Sequence, residues 1–200
     1  MCRDLRKGDI AMCGIVGYTG KEAAAPIILN GLSKLEYRGY DSAGMATFNE
    51  ESKQIEIVKT KGRLKNLVEK TDGGKSMPGQ CGIGHTRWAT HGVPSELNAH
   101  PHCSDDRMVV AVHNGIIENY QELKEHLIHK GYVFYSETDT EVVTKLIDYY
   151  YEKTGHDPLQ GMASALLRVR GSYALGIMFM DRPGVIYAAR KDSPLIIGDR

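Results

Sequence analysis

The chain has 200 residues, 42% of them hydrophobic, enough to bury one sizeable core and read here as a single domain. Lysine plus arginine equals aspartate plus glutamate at 25 each, so no net field would hold the chain on a nucleic acid or an anionic membrane. Four dispersed cysteines (Cys2, Cys13, Cys81, Cys103) are too few to staple a domain of this size, and no apolar run nears the roughly 20 residues that span a bilayer.

The first twelve residues lack the apolar centre of a secretory signal, so the expected location is the cytosol. Cys13 to Tyr18 reads as a short buried strand ending at the Thr19-Gly20 turn. From Glu22 to Tyr37 the apolar residues Ala24, Ile27, Ile28, Leu32 and Leu35 fall at helical spacing, which predicts a helix that Arg38-Gly39-Tyr40-Asp41 ends. Strands follow at 43–48 and 54–60, then an exposed loop around Thr71–Gly79 and a glycine-rich strand at Cys81–His85.

Residues 86–106 show neither period. A loop of about 20 residues in a compact domain is usually functional or disordered, and a tryptophan with four histidines between 85 and 102 argues against disorder. Met108–Val112 is the strongest strand signal in the chain and runs into His113-Asn114-Gly115. Capping boxes at Asn119–Glu122 and Thr138–Glu141 predict two helices, the second with Asp139 in its first turn. A helix near 158–169 and strands near 172–180 and 184–190 complete the count. Strands at both ends with helices grouped between them favour α+β layers over a doubly wound sheet.

Cysteine is the strongest bare nucleophile among the side chains, but near its free pKa of about 8.5 it needs a base. An α-amine, titrating near 7.7–8.0, can be that base when the cysteine is residue one. Met12-Cys13-Gly14 suits this design, because a small residue after methionine favours methionine removal.

Five segments then carry a resemblance: Cys13-Gly-Ile-Val-Gly17, Leu35–Gly44, Gly84–Gly92, His113-Asn-Gly115 and Ser136–Glu141. In this order they resemble the glutaminase domain of the glutamine–fructose-6-phosphate aminotransferase family, over roughly Cys13 to Gly198. The resemblance implies a four-layer αββα sandwich of the N-terminal-nucleophile class, two mainly antiparallel sheets flanked by helices, that hydrolyses L-glutamine to glutamate and ammonia. It implies Cys13 as nucleophile, Asn114 and the Gly115 N–H as oxyanion donors, and Arg87 and Asp139 as partners of the substrate α-carboxylate and α-ammonium. It also implies a closing loop at Thr90 and His91, a gate at Trp88, and support of the site by Gly14 and Arg38. No cofactor or metal is expected. The family continues into sugar isomerase domains that bind fructose 6-phosphate, which these residues do not include and through which a homodimer could form.

Each residue also has a plainer reading. Cysteines in apolar strands usually fill cores, and Cys81 and Cys103 keep that reading. Asp139 could only complement a helix dipole, Arg87 could be an ordinary ion pair, and an isolated Asn-Gly such as Asn114-Gly115 is a common hairpin turn. His85, His91, His100, His102 and Cys103 offer ligands for a zinc module, at poor spacing. Within enzymes the rival is the purine-synthesis type of amidotransferase; outside them it is a glutamine-binding module with a blocked N-terminus.

Eleven residues precede Met12, and an uncleaved extension would turn the required amine into an amide. Residues 1–12 are therefore expected to be absent from the mature protein, through a misassigned start or a removed leader, with 13–200 the glutaminase domain. A misassigned start fits back-translation, because Lys7-Gly8-Asp9 can be encoded in frame by AAGGAGAY, which contains a ribosome-binding sequence.

Overall fold

The computed structural model describes residues 13–35, 40–88 and 92–198. Among the described residues, eight strands form two antiparallel four-stranded sheets. The first contains β1 (Gly14–Thr19), β2 (Ser42–Asn49), β3 (Gln54–Lys61) and β4 (Cys81–Arg87), in the order β1-β4-β2-β3. The second contains β5 (His102–Cys103), β6 (Val109–Ile117), β7 (Gly171–Phe179) and β8 (Tyr187–Lys191), in sequence order.

Helices α1 (Ala24–Ser33) and α2 (Leu64–Lys70) lie on the first sheet, and α3 (Tyr120–Ile128), α4 (Asp139–Lys153) and α5 (Pro158–Leu166) belong to the second. Three apolar clusters define the layers. Ile28 and Leu32 of α1 pack with Ala43 and Met45, and Val142, Leu146 and Ile147 of α4 pack with Val109, Ala111 and Leu175. Between the sheets, Ala46, Phe48 and Ile83 meet Val110, Val112 and Met178. Alternate residues of one strand thus serve different layers, the period of two that a strand imposes. The expected αββα sandwich is what forms.

Close approach explains one of the glycines in β4. A Cβ on Gly84 would sit 2.3 Å from Ile28 Cγ2, so α1 can lie on β4 only because that position is bare.

The order of elements follows the sequence reading apart from β5, which lies in the stretch 86–106 where no element was expected, and three further differences. Helix α2 occupies a stretch for which no element was expected, and a 3-10 turn at Asp72–Gly74 shapes the loop after it. β6 does not end at Val112 but continues through His113, Asn114 and Gly115 to Ile117, so Asn-Gly is no hairpin turn. The Asn119 capping box does not form: its side chain donates to Arg168 O and accepts from Arg170 N, both at 2.9 Å, tying α3 to the segment that leads into β7.

The second box forms on one side only, because the Thr138 N–H donates to Ser136 Oγ at 3.3 Å and not to Glu141. Thr138 Oγ1 accepts from Glu141 N at 3.3 Å, while the Glu141 carboxylate accepts from Ser136 N at 2.7 Å and Ser136 Oγ at 2.6 Å. It also accepts from Tyr135 N at 3.0 Å and meets the buried ammonium of Lys145 at 3.2 Å, which in turn meets Asp105 at 2.7 Å. A buried charge persists only when it is paired and hydrogen-bonded, and here the pair fixes the turn that starts α4. Asp139 is the first residue of that helix.

Candidate active site

The register of the first sheet places Gly14 opposite Thr86, so the start of β1 lies beside the end of β4. Cys13 Sγ accepts the N–H of Trp88 at 3.2 Å and lies 3.6 Å from Trp88 O. Burial pushes the Cys13 thiol up from its ordinary pKa, while the Trp88 N–H and the Arg87 charge pull it back. At neutral pH the sulfur is mainly a thiol, the state that requires a base before it can attack.

Asn114, on the facing sheet, donates from Nδ2 to Cys13 O at 2.8 Å and accepts at Oδ1 from His85 Nε2 at 2.8 Å. Gly115 follows with φ +131°, and a Cβ there would lie 2.1 Å from Ser172 O, so no side chain fits at this point of the pocket wall.

Arg87 ends β4 and is nearly sealed from solvent. Its Nη2 donates to Gly92 O at 3.3 Å, and its Nη1 lies 3.6 Å from Asp41 Oδ1. Asp139 Oδ2 accepts from Ile117 N at 2.9 Å, and Oδ1 lies 3.9 Å from His113 Nδ1, which meets Thr140 Oγ1 at 3.0 Å. One carboxylate thus ties the start of α4 to the end of β6.

Cys13, Arg87, Trp88, His100, His113, Gly115, Thr138, Asp139 and Thr140 line one cavity of about 310 Å³, counting its open mouth. A thiol, a buried guanidinium and a carboxylate on one small cavity can hold a zwitterion and attack its side chain. Trp88, 46% exposed, borders the opening. Of the expected site residues, Cys13, Gly14, Arg87, Trp88, Asn114, Gly115 and Asp139 come together around this cavity. Arg38, Thr90 and His91 lie outside the described residues.

The sequence reading missed His85 and His113 as contacts of the site, and treated His100 only as a metal ligand. All three are buried. The His85 and His100 rings meet at a tilt of 33° with centroids 4.1 Å apart, and His102 Nε2 is engaged with Thr138 Oγ1 at 2.9 Å. Among the described residues no group of three or more His, Cys, Asp or Glu side chains is arranged to hold a metal. The missed histidines carried a signal, since His85 and His113 sit inside two of the five recognised segments.

The sandwich, with a cysteine at the head of β1 and its partners on both sheets, defines the class: an N-terminal-nucleophile type of amidotransferase fold. A family model described as a glutamine amidotransferase domain matches residues 85–198, and the chain belongs to that family.

A Clostridium tetani protein named glutamine–fructose-6-phosphate aminotransferase (isomerizing) is 57% identical over 187 residues, covering 94% of this chain and 30% of the relative. A Pyrococcus horikoshii protein of the same name is 54% identical, at 94% and 31% coverage. The chain therefore spans less than a third of the length of these relatives. Among solved structures, the Bacillus subtilis glutamine phosphoribosylpyrophosphate amidotransferase matches with TM-score 0.65 at 28% identity, covering 84% of this chain and 35% of that one.

Proposed function

We propose that the domain hydrolyses L-glutamine through Cys13, with the α-amino group of a mature N-terminal cysteine as base. Arg87 receives the substrate α-carboxylate as a guanidinium fork, and Asp139 receives the α-ammonium. Cys13 Sγ attacks the side-chain amide carbon and its proton passes to the α-amine. The tetrahedral oxyanion is held by the Gly115 N–H and by the Asn114 amide, which has a second N–H besides the one on Cys13 O. The amine returns the proton to the leaving nitrogen, ammonia departs, and water then cleaves the thioester to glutamate.

The observation that carries this reading is the convergence of Cys13, Arg87, Gly115 and Asp139 on one cavity. In the same reading Thr90 and His91 close over the substrate, Trp88 gates the exit of ammonia, and Gly14 and Arg38 support Cys13. A Cβ on Gly14 would lie 2.6 Å from Leu35 Cδ1, which supports the last role for the glycine.

The ammonia is destined for fructose 6-phosphate, giving glucosamine 6-phosphate on sugar isomerase domains beyond these residues, in a cytoplasmic enzyme that can dimerise through them. Identity above 50% to relatives named for that aminotransferase, against 28% to the purine-type structure, favours this branch.

The test is glutamate release by a chain begun at Met12 beside the 200-residue chain, with Cys13→Ala as control. Turnover by the shorter chain alone, abolished in the control, is the expected result. Turnover within tenfold of wild type in Cys13→Ala would remove Cys13 as nucleophile. Equal turnover by both chains, with the extension still attached, would remove the α-amine as base.

A further inference from the structure

Resting on the hydrolytic reading above, we infer that His85 is a positioning residue that locks the Asn114 side-chain amide with its N–H groups toward the reacting carbon. The two residues belong to different sheets, His85 to β4 and Asn114 to β6, and their 2.8 Å hydrogen bond crosses the sandwich.

The partners fix every proton. Cys13 O can only accept, so the amide nitrogen of Asn114 faces it and Oδ1 faces His85. Oδ1 can only accept, so His85 Nε2 carries hydrogen. Burial holds the His85 pKa down at about 3, so the ring is the neutral Nε2–H tautomer at working pH. The ring is fully buried and packs against the His100 ring, centroids 4.1 Å apart and planes tilted by 33°, so burial and the neighbouring ring both oppose its swinging away.

An oxyanion donor works because it already points where charge will develop. Rotating the Asn114 amide by half a turn would aim Oδ1 at Cys13 O and at the forming oxyanion, replacing attraction with repulsion. His85 opposes that rotation from the far end of the amide and polarises the N–H bonds through Oδ1. Without it, a buried Oδ1 would turn to find another donor and take its N–H groups off the pocket.

The role separates from a general structural one by the kind of reaction measured. Glutamine hydrolysis passes through an oxyanion. Alkylation of the Cys13 thiolate by iodoacetamide is a direct displacement: the sulfur–carbon bond forms, iodide leaves with its electron pair, and no oxyanion arises.

In chains whose first residue is Cys13, His85→Leu is expected to lower kcat about 10- to 100-fold, somewhat less than direct loss of an oxyanion donor. The KM for glutamine and the alkylation rate of Cys13 should stay within about threefold, since neither uses the oxyanion donors. His85→Gln places an amide N–H near the position of Nε2 and should recover most of kcat, whereas the shorter His85→Asn should not.

Unchanged kcat in His85→Leu overturns the inference, as does a parallel fall of kcat, binding and alkylation. Equal turnover in the Gln and Asn variants overturns it too, and that comparison decides the matter if the leucine variant does not fold. The functional reading is tested separately, because its failure shows as absent turnover in the unsubstituted chain.

Discussion

Asp139 accepts from Ile117 N and is proposed to receive the substrate ammonium, so two substitutions should separate the structural task from the ligand task. Asp139→Asn keeps an oxygen for Ile117 N, now 2.9 Å away, and removes only the charge. A hydrogen bond to a charged group contributes about 1.5–3 kcal/mol, so the KM for glutamine should rise roughly 10- to 150-fold with little change in unfolding temperature. Asp139→Ala loses the same ligand contact and also strands a buried backbone N–H, which costs about 1–3 kcal/mol of stability. For a chain of this length that lowers Tm by about 2–4 °C per kcal/mol. Steady-state glutamate release and thermal unfolding measure the two effects on the same preparations. A KM within twofold of wild type in Asp139→Asn would refute the ammonium role, and matching Tm values for the two variants would refute the backbone role.

Arg87→Lys should raise KM more than it lowers kcat, since lysine keeps the charge but cannot present a planar fork or span both Gly92 O and Asp41; a pure loss of kcat would contradict this. Acid should destabilise the fold, because buried His85, His100 and His102 all have pKa values pushed below the ordinary 6.5. The unfolded chain then binds more protons below pH 6.5, so stability falls as pH drops through that value, by up to about 1.4 kcal/mol per unit for each ring. Asp148 opposes them, since burial raises its pKa to about 6 and the folded state holds its proton more tightly between roughly pH 4 and 6. Three histidines outweigh one carboxyl, so urea midpoints should decrease from pH 7 to pH 5, and a flat or rising trend would count against buried neutral rings.

Periodicity and turn residues made the layers legible, because strands such as Met108–Val112 and the apolar stripe of α1 carry their own signature. Helix α2 was not legible: Leu64 and Leu67 alone are buried in seven residues, too thin a stripe to register. Asn114-Gly115 misleads for the opposite reason. The dipeptide is a strong local turn signal, but pairing with Ala174 and Tyr173 keeps it in β6 and overrides that preference. The Asn119 box fails likewise, since the backbone at Arg168 and Arg170, some fifty residues away, competes for the same side chain. The start of α4, with Asp139 in its first turn, was readable because Thr138 and Glu141 lie three residues apart. The roles of His85 and His113 were not, since they come from contacts with Asn114 and Thr140 that lie 29 and 27 residues away.

The site is what the inner layer of the sandwich becomes at one end. Along β4, Cys81, Ile83, His85 and Arg87 alternate onto one face, and along β6 so do Val110, Val112 and Asn114. At Ile83 and Val112 that layer is apolar and belongs to the inter-sheet core. Two residues further along each strand the same layer holds the His85–Asn114 hydrogen bond, and beyond it lie Arg87 and the sulfur of Cys13. The opposite face of β6 carries Val109, Ala111 and His113 toward the helices, where His113 meets Thr140 beside Asp139. Cys13 and Arg87 therefore ride on one sheet, while Asn114 and Asp139 ride on the other and its helix. Packing of the two sheets sets the distance between them, so a cavity opened at Ile83 or Val112 acts on the chemistry through that spacing. One opened at Leu32, on the outer face of the first sheet, reaches only the attachment of α1.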